Sequence, residues 1–213
     1  MKKYFSILAI FFSITLSFCQ AKKRIYYNEN LEEITKSNYY EQINHQKNLD
    51  LQFENDTQKT FFLITRKNYG QLNDNDFNNL KKSLSSDKEL NNDLIVIVYY
   101  PGKDGCNGSK ITSQWNIFHN DYLRKLNSIS NNSHFWIYKD DENLKYYHPD
   151  QVKWEKDKNQ LVENLFFTLH YPCFSGVVID RSGKYISYFG EFGKNEIWEL
   201  SKELKNNKVD TEK

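Results

Sequence analysis

Hydrophobic and polar positions divide this chain into short strands and amphipathic helices. Leu49, Leu51 and Phe53 alternate with Asp50, Gln52 and Glu54, the period of two of a half-buried strand. Arg24–Tyr27 reads as a shorter strand ahead of it. Between them, residues 30–42 carry Leu31, Ile34 and Tyr39 at loosely helical spacing, with Thr35 as a candidate N-cap. Asn55-Asp56-Thr57 is a turn. Beyond it the pattern predicts a strand over Thr60–Arg66 and a helix over Asn73–Leu84, whose Phe77, Leu80 and Leu84 share one face. Leu94–Tyr100 is apolar at every position, which fits a central strand covered on both faces. A helix from Thr112 or Ser113 to Ile129, with Trp115, Phe118, Tyr122 and Leu126 as its inner stripe, leads to a strand over Phe135–Lys139. Val152–Leu169 reads as a helix with Leu161, Leu165 and Leu169 at spacing four. Phe174–Asp180 and Tyr185–Phe189 form a hairpin through Arg181-Ser182-Gly183-Lys184, and Lys194–Leu204 is a closing helix. From residue 59 the order is β-α-β-α-β-α-β-β-α, the alternation of a parallel sheet with an added antiparallel hairpin.

Composition alters this picture mainly at the N-terminus. Aromatic residues make up 16% of the 213 positions, enough that a packed core, not disorder, is expected. Lys and Arg total 29 against 28 Asp and Glu, so the charge balance gives no argument for a nucleic-acid or anionic-membrane partner. Residues 1–21 stand apart: Lys2 and Lys3 precede an apolar run from Phe5 to Phe18, and Cys19-Gln20-Ala21 offers small residues around a cleavage point. That is the pattern of a secretory signal peptide, and the run is short for a membrane anchor. The expected organisation is a signal peptide at 1–21, an N-terminal extension at 22–58, an α/β domain at 59–206 and a flexible tail at 207–213. A lipoprotein in which Cys19 carries the lipid is the other reading, against which Phe18 is bulky where such motifs take a small residue. No later segment is long and apolar enough to span a membrane. Cleavage would leave Cys106 and Cys173, an even count compatible with one disulfide in an exported protein.

Candidate chemistry lies in two segments. His170-Tyr171-Pro172-Cys173-Phe174 is a proline followed at once by a strand, and an aromatic-Pro bond is a candidate for the cis isomer. Cys106-Asn107-Gly108-Ser109-Lys110 follows the central strand. Together with the element order, these segments resemble a thioredoxin-like domain over about residues 59–206. The resemblance implies a three-layer α/β fold, a central mixed sheet flanked by helices, with residues 22–58 added in front. In that family the active thiols follow the central strand at a helix start as Cys-x-x-Cys, often with a Lys after them, and a cis-proline loop lies against them and binds the substrate backbone. Carried over to this chain, Cys106 matches the first thiol and Lys110 the lysine, Ser109 replaces the second thiol, and Pro172 takes the cis-proline role. Tyr171, Pro172, Asn107 and Ser109 would then face a polypeptide substrate. Cys173 lies outside the family's motif. A dithiol pair works by attack of one thiolate and release by the other, a step Ser109 cannot perform.

The implied fold would bring the loops of Cys106 and Cys173 together, which leaves three possibilities open. Cys106 is a lone reactive thiol with its pKa lowered by a helix N-terminus and Lys110, or it is bonded to Cys173, or both thiols are inert. Cys106, Cys173 and Lys110 are the expected catalytic set. The competing class is a binding module in which the cysteines only staple the scaffold. A polypeptide substrate or partner protein is expected, and no cofactor. His170 and His148 lie near the proposed site as possible proton acceptors for a thiol. The histidines and cysteines show no metal-ligand spacing, Pro101–Gly105 lacks the phosphate-loop pattern, and Asp140-Asp141-Glu142 reads as a solvated turn.

Overall fold

The chain is described by a computed structural model covering residues 22–85, 90, 92–106, 108 and 110–209. The signal-peptide reading, with Cys19, therefore lies outside the described residues, as do Asn107, Ser109 and residues 210–213. Elements follow in chain order as β1 (Lys23–Tyr27), β2 (Glu33–Ile34), α1 (Lys36–Gln42), β3 (Asn48–Glu54), β4 (Gln58–Thr65), β5 (Lys67–Gln71), α2 (Asp74–Ser85) and β6 (Leu94–Tyr100). After these come α3 (Asp121–Ile129), β7 (Asn132–Tyr138), β8 (Trp154–Lys156), α4 (Leu161–Phe166), β9 (Ser175–Asp180), β10 (Lys184–Tyr188) and α5 (Lys194–Val209). The architecture is α/β, with two mixed sheets and flanking helices.

The N-terminal residues build a four-stranded sheet of order β2-β1-β4-β3, in which only β1 and β4 run parallel. Helix α1 takes up only the later part of the stretch expected to be helical over 30–42, because Glu33–Ile34 pairs with β1; it starts at the candidate cap, where the Thr35 hydroxyl accepts from the Asn38 amide. It lays Tyr39 against Tyr26, Phe61 and Leu63, and the Tyr26 and Phe61 rings stack at 4.7 Å. Tyr39 donates to the Asp50 carboxylate, and burial with that negative neighbour raises its hydroxyl pKa.

The second sheet has six strands in the order β5-β10-β9-β6-β7-β8. Strands β6, β7 and β8 run parallel, whereas β9 is antiparallel to β6, and β10 to both β9 and β5. The uninterrupted apolar run of β6 has a simple origin. Leu94, Val96, Val98 and Tyr100 pack into one core with Tyr122 and Leu126 of α3 and Trp198 of α5. Ile95, Ile97 and Tyr99 pack into another with Phe77 and Leu80 of α2 and Phe166 of α4. With helices on both faces, neither face of the strand retains a polar side. The first sheet closes onto the second core through Leu49, Leu51 and Ile64. Arg66 fastens the junction by donating to the carbonyls of Phe189 (3.1 Å), His45 (2.7 Å) and Glu191.

Four expectations need correction. The strand expected over Thr60–Arg66 exists as β4 but belongs to the N-terminal sheet, pairing with β1 and β3. The second sheet instead gains the unforeseen edge strand β5. The helix expected from Thr112 opens only at Asp121, after a 3-10 turn over Asn116–Phe118. Its first aromatics dock individually, with Trp115 4.2 Å from the Phe174 ring, while the Asn116 side chain accepts from the Lys194 amide and caps α5. The helix expected over Val152–Leu169 shrinks to α4, because Asn159 and Gln160 both take left-handed backbone and Trp154–Lys156 pairs with β7. The tail expected from residue 207 does not start there, since α5 runs to Val209; residues 210–213 lie outside the described residues. Among the described residues no helix is long and apolar enough to cross a membrane.

Candidate functional site

The antiparallel pairing of β6 with β9 sets Tyr99 beside Ser175, so the segment leaving β6 and the segment entering β9 lie at the same end of the sheet. Cys106 sits on the first and Cys173 on the second, and the two form a disulfide with a Cα–Cα separation of 5.8 Å. Of the three possibilities the sequence left open for these thiols, the bonded one is found. The bridge is lopsided: Cys106 is exposed, whereas Cys173 is buried in the core beside Phe174.

Asp104 links the two segments a second time. Its Oδ2 accepts from the Cys173 amide at 2.8 Å and its Oδ1 accepts from His170 Nε2 at 2.6 Å. The carboxylate is largely covered, with 13% of its side chain exposed, against 52% for His170. Cys173 is held with φ of 70°, a left-handed conformation that costs a residue with a Cβ. The Asp104 contact to its amide helps to hold it there. Buried hydroxyls line the same end of the sheet. Burial raises the pKa of both Tyr100 and Tyr147, with the Asp104 charge contributing to each shift. Tyr100 donates to the Glu142 carbonyl at 2.6 Å.

Several expected site residues take other positions. No cis peptide bond occurs among the described residues, so the Tyr171–Pro172 linkage is trans and the cis-proline reading is corrected. A left-handed Cys173 next in sequence turns the chain into β9 instead. The Tyr171 ring is buried and stacks on Phe189 at 4.1 Å with a 3° interplanar angle, so it packs in the core rather than facing a groove. Pro172 is half-buried. Lys110 is exposed on a loop, and no helix starts at Cys106 to lower a thiol pKa. His148 donates to the Ser113 carbonyl at 2.9 Å and is a loop fastener. His170, singled out as a proton acceptor, is in place beside the bridge but engaged with Asp104.

Asp104 was missed by sequence reasoning. The only signal for it is an acidic side chain two positions before a cysteine in a glycine-rich loop, which composition alone reads as solvated. Among the described residues no group of three or more His, Cys, Asp or Glu side chains could hold a metal ion. No protein-family model, curated protein or solved structure matches this chain.

Chemically, such a bridge admits attack from one side. A thiolate from solvent meets the exposed Cys106 more readily than the buried Cys173, which makes Cys173 the natural leaving group.

Proposed function

We propose that this protein is an exported thiol–disulfide protein of thioredoxin-like fold, with Cys106 as the sulfur that meets an external thiol and Cys173 as its internal partner. The observation that carries this reading is the lopsided bridge, one cysteine exposed and the other buried. Support for the fold assignment comes from order and position: Cys106 follows the central strand β6, and Pro172 leads into β9, β10 and α5. Export is supported by the N-terminal pattern of the sequence and by a disulfide of a kind that persists in oxidising compartments.

The exchange proceeds in two steps. A thiolate attacks the Cys106 sulfur, the Cys106–Cys173 bond breaks, and the Cys173 sulfur leaves with the electron pair and takes up a proton. The product is a mixed disulfide on Cys106. A second thiolate then displaces Cys106 and releases the external pair as a disulfide, two electrons having passed to the protein. With a serine at position 109, the resolving thiol within the protein is Cys173.

Oxidised protein incubated with glutathione and quenched with an alkylating agent should show the adduct on Cys106 and the free thiol on Cys173 by peptide mass spectrometry. Wild type should also reduce insulin disulfides faster than Cys106→Ser. Equal rates for the two proteins, or an adduct only on Cys173, would overturn the reading. A staple without exchange chemistry is the second reading. It is favoured by the trans linkage before Pro172 and by the missing helix start at Cys106, and it predicts a bridge that glutathione leaves intact.

A further inference from the structure

One carboxylate joins the same two segments that the disulfide joins. Asp104 lies two positions before Cys106, and His170 three positions before Cys173. The Asp104 side chain binds both the imidazole of His170 and the backbone amide of Cys173. Opening the disulfide therefore leaves a non-covalent tie across the gap, anchored on a mostly covered carboxylate where solvent screening is reduced.

We propose that Asp104 and His170 are positioning residues that keep Cys106 and Cys173 apposed when their bond is open. This rests on the exchange reading above for its use, since a latch matters only to a bridge that opens and closes. Its consequence is a high effective concentration of one thiol for the other, and so a dithiol strongly disposed to re-form the bond. The Cys173 conformation fits this role. A left-handed backbone at a cysteine is retained only where its surroundings enforce it, and the Asp104 contact to the Cys173 amide is part of that enforcement.

Charged and hydroxyl groups surround the tie. Tyr100 and Tyr147 stand near Asp104, with Asp140 and Glu142 behind them. Beside His170, the crevice under the loop also holds Tyr99, Lys139 and Glu163, of which the last two pair at 2.6 Å. Exchange between a protein disulfide and glutathione takes up no net protons while all thiols stay protonated, so it is pH-independent below the ordinary thiol range of about 8.5. A ratio measured at pH 7 therefore reports how the two thiols are held and not their ionisation.

The test equilibrates the protein at pH 7 in glutathione buffers of fixed ratio, then quenches by alkylation and reads the oxidised-to-reduced ratio by mass spectrometry. Asp104→Ala should lower the ratio tenfold or more relative to wild type. Asp104→Asn keeps an oxygen for the Cys173 amide but no charge, and should behave like His170→Gln, with a severalfold lower ratio. His170 is half in solvent, so His170→Gln keeps the test decisive if an Asp104 variant fails to fold. Asp104→Ala or His170→Gln with the wild-type ratio would overturn the proposal. The equilibrium ratio is independent of how fast glutathione opens the bridge. Slow opening in wild type would remove the exchange function while leaving the latch standing, and fast opening with variants that match the wild-type ratio would do the reverse.

Discussion

Cys106 and Cys173 were legible in the sequence as the two cysteines beyond residues 1–21, but the residue that organises them was not. Asp104 has no spacing that marks it. Its importance comes from the carboxylate lying between an imidazole and a backbone amide that are 66 and 69 positions away. His134 shows the same limit from the opposite side. In sequence it is one histidine in a run of Asn and Ser, whereas in the fold its Nε2 shares a 2.8 Å hydrogen bond with the buried Tyr122 hydroxyl. Burial pushes its pKa down from 6.5 to about 3, so the native protein holds it neutral. The unfolded chain binds that proton below pH 6.5 and the folded chain does not, so stability falls as pH drops from 6.5 towards 3. The slope has an upper bound of about 1.4 kcal/mol per pH unit from this group. Urea unfolding between pH 7 and 4 should show that loss in wild type and a shallower one in His134→Gln. An unchanged slope would show that His134 is not held neutral.

Elements were most legible where a local signal and the tertiary environment agree. Strand β6 was evident because seven consecutive apolar residues admit little else, and α1 because Thr35 caps it as its hydroxyl suggests. Helix α4 was misread because leucines at spacing four promise a helix from Val152, and neither glycine nor proline announces the break. Asn159 and Gln160 supply it with left-handed backbone, and Asp157 then restarts the helix by accepting from the Val162 amide at 3.0 Å and the Glu163 amide at 2.9 Å. This makes Asp157 the nucleus of the element. Asp157→Ala should cost about 1–2 kcal/mol in urea unfolding, as the loss of a helix cap does. Hydrogen exchange of the Val162 and Glu163 amides should accelerate. Protection unchanged at both amides would mean that packing of Val162 and Phe166 alone sets the helix.

At the scale of the whole molecule, two sheets are fastened by Arg66 and by a shared core, while one covalent bridge spanning 67 positions ties two segments of the second sheet. In the chain-entropy account, closing a loop of that length removes about 4 kcal/mol of freedom from the unfolded state. Reduced and alkylated protein should therefore unfold at a lower urea midpoint by roughly that free energy, and Cys106→Ala/Cys173→Ala should match it. A loss below about 1 kcal/mol would mean that the junction and the Asp104 tie already restrict the opened chain. The sequence by itself determined the strand and helix types of most elements, the two-faced burial of β6 and the final hairpin, because periodicity and capping act over a few residues. Only the tertiary structure decided that β4 joins the first sheet, that Pro172 stays trans and that Tyr171 turns inward. It also decided that a loop aspartate reaches the amide of a distant cysteine. Each of those outcomes depends on which surfaces meet across the chain, and contacts between remote segments leave no period in the sequence.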